Sequence, residues 1–123
     1  MKIRIKGNSV RLRLTRSEVD RFGNKGMVEE STQFGSSQLN YVLTQHDHSA
    51  MAARFENNTV TVLMPAAWAE EWVNTERVGY ESTMPLTGTE ELYLLVEKDF
   101  VCLDNTTEDQ SDNYPNPLAE FHK

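Results

Sequence analysis

Cysteine is almost missing: the 123 residues contain one, Cys102, so no disulfide can close within the chain. A small scaffold held by disulfides is thereby excluded, and a reducing, cytoplasmic setting is the expectation. No apolar run approaches the ~20 residues that span a bilayer. The opening Met1-Lys2-Ile3-Arg4-Ile5-Lys6 alternates charge with isoleucine, where a secretory signal needs an unbroken apolar stretch. The chain lacks a glycine-rich phosphate loop, a G-x-S-x-G elbow and an H-E-x-x-H helix, so the sequence implies no cofactor and offers no ready catalytic motif. Its adjacent carboxylates, Glu29-Glu30 and Glu70-Glu71, point apart on a strand or around a helix and give no acid–base pair by themselves. Positive charge is also short. Twelve Lys and Arg face nineteen Asp and Glu, a net charge of −7, which opposes nucleic acid as the main partner.

That charge is unevenly spread. Residues 1 to 25 carry eight cations against Glu18 and Asp20, a balance of +6, so the rest of the chain carries −13. An asymmetry of this size points to pairing between two surfaces of one molecule, or to an external anion.

The length suits one domain, and a displacement of 50 positions brings out an internal similarity. MKIRIKGNSVRLRL falls on MAARFENNTVTVLM, with Arg4 on Arg54, Asn8 on Asn58 and Val10 on Val60. In each copy two alternating segments flank a turn, Gly7-Asn8 or Asn57-Asn58, whose residues accept the positive φ of a tight hairpin. A short helix follows each hairpin. In the first, Thr15-Arg16-Ser17-Glu18 has capping-box spacing ahead of Val19 and Phe22. In the second, Pro65 precedes Trp68, Ala69, Trp72 and Val73 at helical spacing, and Trp72 falls on Phe22. After the helices Val28 matches Val78, and each copy then reaches a strand, Leu39–Leu43 or Leu92–Val96.

The expected fold is therefore mostly β: a small barrel-like or two-layer domain of two tandem β-β-α-β-β repeats with two short helices. The repeats cover about 1–50 and 51–103. Residues 104–123 form an acidic, irregular segment packed on the domain or extending from it, since Pro115 and Pro117 exclude a regular element. The run Val60-Thr61-Val62-Leu63-Met64-Pro65 into a helix resembles the half-barrel of AbrB-type swapped-hairpin proteins, a likeness of topology only. The segment Glu97-Lys98-Asp99-Phe100-Val101-Cys102-Leu103, followed by Glu108-Asp109-Gln110-Ser111-Asp112-Asn113-Tyr114-Pro115-Asn116-Pro117, resembles an uncharacterised family of small bacterial proteins. That resemblance implies a distinct domain and no mechanism.

Candidate sites follow from these patterns. With Gly7-Asn8 as a two-residue turn, Lys2 faces Arg13 and Arg4 faces Arg11, so four cations share one side of a hairpin and its apolar residues the other. Like charges directly opposed are destabilising. An anionic neighbour is expected, first of all the acidic C-terminal segment. His46 and His48, alternate residues of an extended stretch, can converge on a metal. Cys102 lies among Phe100, Val101 and Leu103, where burial is the usual fate of a lone thiol. Trp68 and Trp72 offer apolar surface for an interaction, including a homodimer. The leading reading is a non-catalytic binding or protein-interaction module. The alternatives are a small metal- or carboxylate-dependent enzyme and a nucleic-acid binder acting through the basic hairpin.

Overall fold

The computed structural model describes residues 1–100 and 110–115. The chain runs β1 (Lys2–Ile5), β2 (Ser9–Leu14), α1 (Arg16–Lys25), β3 (Met27–Gln33), β4 (Gln38–His46), β5 (Ala52–Glu56), β6 (Thr59–Pro65), α2 (Ala66–Asn74), β7 (Gly79–Pro85) and β8 (Glu91–Lys98). The order β-β-α-β-β thus occurs twice.

The halves interlock and do not fold side by side. One sheet has the order β1-β2-β8-β7 and the other β3-β4-β6-β5, so each takes one hairpin from each half. The junction is a parallel pair in both sheets, β2 beside β8 and β4 beside β6. Among the described residues no backbone ladder joins the sheets, and the fold is two-layered where the sequence also allowed a barrel. Side chains of β7 meet the edge of β5 instead. Met51 N–H donates to Ser82 Oγ at 3.1 Å and Ala53 N–H to Met84 Sδ at 3.4 Å, satisfying edge amides that would otherwise be orphaned.

The local chemistry follows the sequence closely at the hairpins and at α1. Asn57 and Asn58 both take positive φ in the β5–β6 turn, while in the β1–β2 turn Gly7 alone does. Glu18 Oε1 accepts from the Thr15 backbone N–H at 2.9 Å, the glutamate half of the capping box. Gly26 closes α1 in the left-handed region, with its N–H on Phe22 O. No such residue ends α2, whose C-cap Thr75 is extended. There Lys98 reaches in from β8, its Nζ donating to Thr75 O at 2.8 Å.

The core draws equivalent positions from both halves. Leu12 and Val62, Leu14 and Met64, Val19 and Ala69, and Phe22 and Trp72 are all essentially inaccessible. Phe22 and Trp72 meet edge to face with ring centroids 6.0 Å apart, a geometry that adds to area burial because the positive ring edge meets the negative face. Beside them Gly23 leaves room for Val73, whose Cγ1 would lie 2.7 Å from a Cβ at position 23.

The match of Val28 with Val78 is corrected by the strand pairing. Val28 pairs with Leu43, and the residue in the equivalent place opposite Val96 is Tyr80. A longer link after α2, residues 75–78 against Gly26 alone, moves the second half by two positions, and Val78 lies exposed outside β7.

Candidate anion-binding face

The side-chain period of two sorts the first hairpin into faces. Lys2 pairs with Arg13, Ile3 with Leu12, Arg4 with Arg11 and Ile5 with Val10. Leu12 and Leu14 turn into the core, which puts Lys2, Arg4, Arg11 and Arg13 together on the outer face of the sheet.

The neighbouring strand decides which of these charges are compensated. The parallel register of β2 with β8 sets Arg13 beside Glu97 and Arg11 beside Leu95. Arg13 Nε donates to Glu97 Oε1 at 2.9 Å. Lys2 Nζ lies 3.0 Å from Asp99 Oδ2, a buried carboxylate oxygen met by the charge without an aligned N–H. Among the described residues Arg11 has no carboxylate partner. Its guanidinium sits 5.8 Å from the centroid of the Tyr93 ring, and its Nε is buried with no hydrogen-bond partner. The Tyr93 hydroxyl donates to Glu81 Oε2 at 2.5 Å, and this bond holds the phenol above its ordinary pKa. Arg4 is exposed and has no ion pair, side-chain hydrogen bond or ring contact among the described residues. Among the described residues, Lys2 and Arg13 therefore have anionic partners, and the opposed pair Arg4 and Arg11 does not. In the second half the equivalent pair is Arg54 opposite Thr61, so the architecture does not require two arginines here.

The described part of the acidic segment docks elsewhere. Asp112 sits at the start of α1, where its backbone oxygen accepts from Arg16 N–H at 3.0 Å and its carboxylate from Ser17 N–H at 3.3 Å and Ser17 Oγ at 2.5 Å. These bonds, the Ser17 hydroxyl first, hold the Asp112 carboxyl below its usual range. Helix N-termini leave amides unpaired and attract negative charge, which explains the choice of place. Tyr114 bridges to Phe100, and its N–H donates to Asp99 O at 2.8 Å. Residues 104–109 and Cys102 lie outside the described residues.

With this geometry in place, the comparisons with known proteins supply a family. The chain belongs to the DUF7009 family, a family of unknown function, which matches residues 1–118. No curated protein and no solved structure matches it. Membership in DUF7009 brings no activity with it, so the chemistry rests on the residues of this chain. Among the described residues of this DUF7009 chain, no helix is long and apolar enough to cross a membrane.

The other sequence candidates fall as follows. His46 ends β4; its ring is 4.5 Å from that of His48, and its Nε2 is 2.9 Å from Ala50 O. Among the described residues, no group of three or more His, Cys, Asp or Glu is placed to hold a metal ion. Trp72 is fully buried and donates its indole N–H to Val78 O at 2.9 Å. Trp68 stacks on Tyr80 at 4.9 Å, and Arg77 covers the same Tyr80 ring at 4.0 Å. That leaves Trp68, half-buried, as the tryptophan with surface to offer.

Sequence reasoning missed Lys98, although a signal was present. It has the parity of Leu94 and Val96, the inward positions of β8, and it is only 5% exposed.

Proposed function

We propose that this chain is a non-catalytic interaction module that docks an acidic segment of a partner protein on the outer face of the β1-β2-β8-β7 sheet, with Arg4 and Arg11 as the anchor. The observation that carries this reading is the opposed, uncompensated pair itself: Arg4 directly across from Arg11, whose buried Nε has no partner. A carboxylate placed between the two guanidiniums would relieve their repulsion, and the planar fork of arginine suits bidentate carboxylate binding. Glu81 and Glu97 on the same sheet interrupt the positive field, and with the net charge of −7 they favour a discrete carboxylate over a continuous phosphate backbone. The two halves are read as copies of one unit within a single domain, and the face belongs to what the first copy alone displays.

The test is fluorescence anisotropy with a labelled peptide of alternating glutamate and glycine, against the same peptide with glutamine for glutamate. Binding that needs glutamate, weakens with salt and is lost in Arg4→Glu/Arg11→Glu supports the proposal. Equal binding by that variant, or none by the unaltered chain at low salt, rejects it.

A homodimer is the second reading. Ile5 and Phe55, at corresponding ends of the edge strands β1 and β5, are 59% and 67% exposed. Light scattering that shows a strict monomer at high concentration removes this reading.

A further inference from the structure

On the inner side of the same sheet, at the opposite end of β8, lies a cavity of about 350 Å³, a size at the lower end of the ~300–1,000 Å³ of small-molecule pockets. Thr75, Glu76, Val78, Phe100, Tyr114 and Pro115 line it together with Lys98. Lys98 as a residue is 5% exposed; its ammonium donates one hydrogen bond to Thr75 O at 2.8 Å and lies 5.2 Å from the centroid of the Tyr114 ring. Among the described residues no carboxylate forms an ion pair with it. Burial pulls its pKa down, against the more distant pull of Glu76.

A buried ammonium with one acceptor is costly, because the water it has lost is not replaced by an anion. Capping α2 at Thr75 O uses one of its N–H groups, and the fold does not require a lysine for this: the first half closes α1 with Gly26 while placing the neutral Gln45 opposite Met64, just as Lys98 lies opposite Leu14. Two N–H groups of Lys98 remain for a ligand, and Val78, Phe100, Tyr114 and Pro115 make one part of the lining aromatic and aliphatic.

We infer that the Lys98 cavity is a binding site for a small monocarboxylic acid with an aromatic or short aliphatic body, the carboxylate on Lys98 Nζ and the body between Val78, Phe100 and Tyr114. One ammonium, with Glu76 also in the lining, matches a single negative charge and opposes a dianion such as phosphate. The site is independent of the Arg4–Arg11 face, which lies on the other side of the sheet.

Two-dimensional amide NMR of the full chain tests this with benzoate as the probe, benzamide as the uncharged control and inorganic phosphate as the dianion control. Benzoate is expected to shift the amides of Val78, Phe100 and Tyr114 saturably, and benzamide and phosphate to leave them in place. Lys98→Met should weaken benzoate about tenfold or more, the value of a charge-assisted hydrogen bond. If Lys98→Met does not fold, Val78→Phe, which keeps the ammonium and fills the cavity, should also abolish the shifts. Arg4→Glu/Arg11→Glu should bind benzoate unchanged, which separates this site from the outer face. No saturable benzoate shift, equal binding of benzamide, or undiminished binding by either cavity variant overturns the inference.

Discussion

Reversing one charge of the arginine pair should make the protein more stable while removing its proposed function. Arg4 and Arg11 are direct cross-strand partners, and like charges so placed cost a few tenths to ~1 kcal/mol, with a similar gain for opposite charges. Arg4→Glu replaces the first by the second. Because Arg4 is exposed, solvent screening keeps the total near ~1 kcal/mol at low salt, which for a domain of this size is a rise in Tm of ~3–5 °C. Arg11→Glu should gain less, since it also gives up the Tyr93 ring, worth ~0.5–1 kcal/mol at such a site. The double variant restores like charges and should lose the benefit of either. Thermal unfolding followed by circular dichroism, at low salt and at ~0.5 M NaCl where screening is nearly complete, reads all three variants. An Arg4→Glu protein no more stable than the parent at low salt, or a gain that survives high salt, would refute the claim that this pair is uncompensated.

Three further outcomes follow from the geometry. Gly23→Ala adds a Cβ 2.7 Å from Val73 Cγ1, so overpacking of ~1–3 kcal/mol should outweigh the ~1 kcal/mol gained in helix propensity. With Val73→Ala already in place the same change should stabilise, and chemical denaturation of the four proteins shows whether the sign reverses. Trp72→Phe removes the indole bond to Val78 O and part of a filled site, for a loss of ~1–3 kcal/mol in urea unfolding. The folded-state pKa of Asp112 is lowered, so its contribution is present above the unfolded carboxylate value of ~3.9 and is lost as pH falls through the folded value. Asp112→Asn should therefore flatten the acid limb of the stability–pH curve below about pH 4, and an unchanged limb would contradict the role assigned to Asp112 at α1.

What could be read from the sequence was local. The hairpin register from Lys2 to Arg13 follows from a two-residue turn and the period of two, and the capping glutamate of α1 from its spacing. Phe22 and Trp72 were legible as a core face because both recur at helical intervals. The exchange of hairpins between halves was not legible, since no short-range pattern tells β2 that its neighbour is β8. That one fact changes the reading of the charges. It brings Glu97 to Arg13 and Asp99 to Lys2, leaving Arg4 and Arg11 distinct from two residues that look the same in sequence. The burial of Lys98 was readable from strand parity, but its charge suggested an outward position.

The central claim is tested most directly by the affinity of the glutamate-containing peptide for the parent chain and for Arg4→Glu/Arg11→Glu, measured by anisotropy at two salt concentrations. The account predicts salt-sensitive binding to the parent and none to the variant, with the glutamine peptide inert throughout. Equal affinity of both proteins for the glutamate peptide would contradict it.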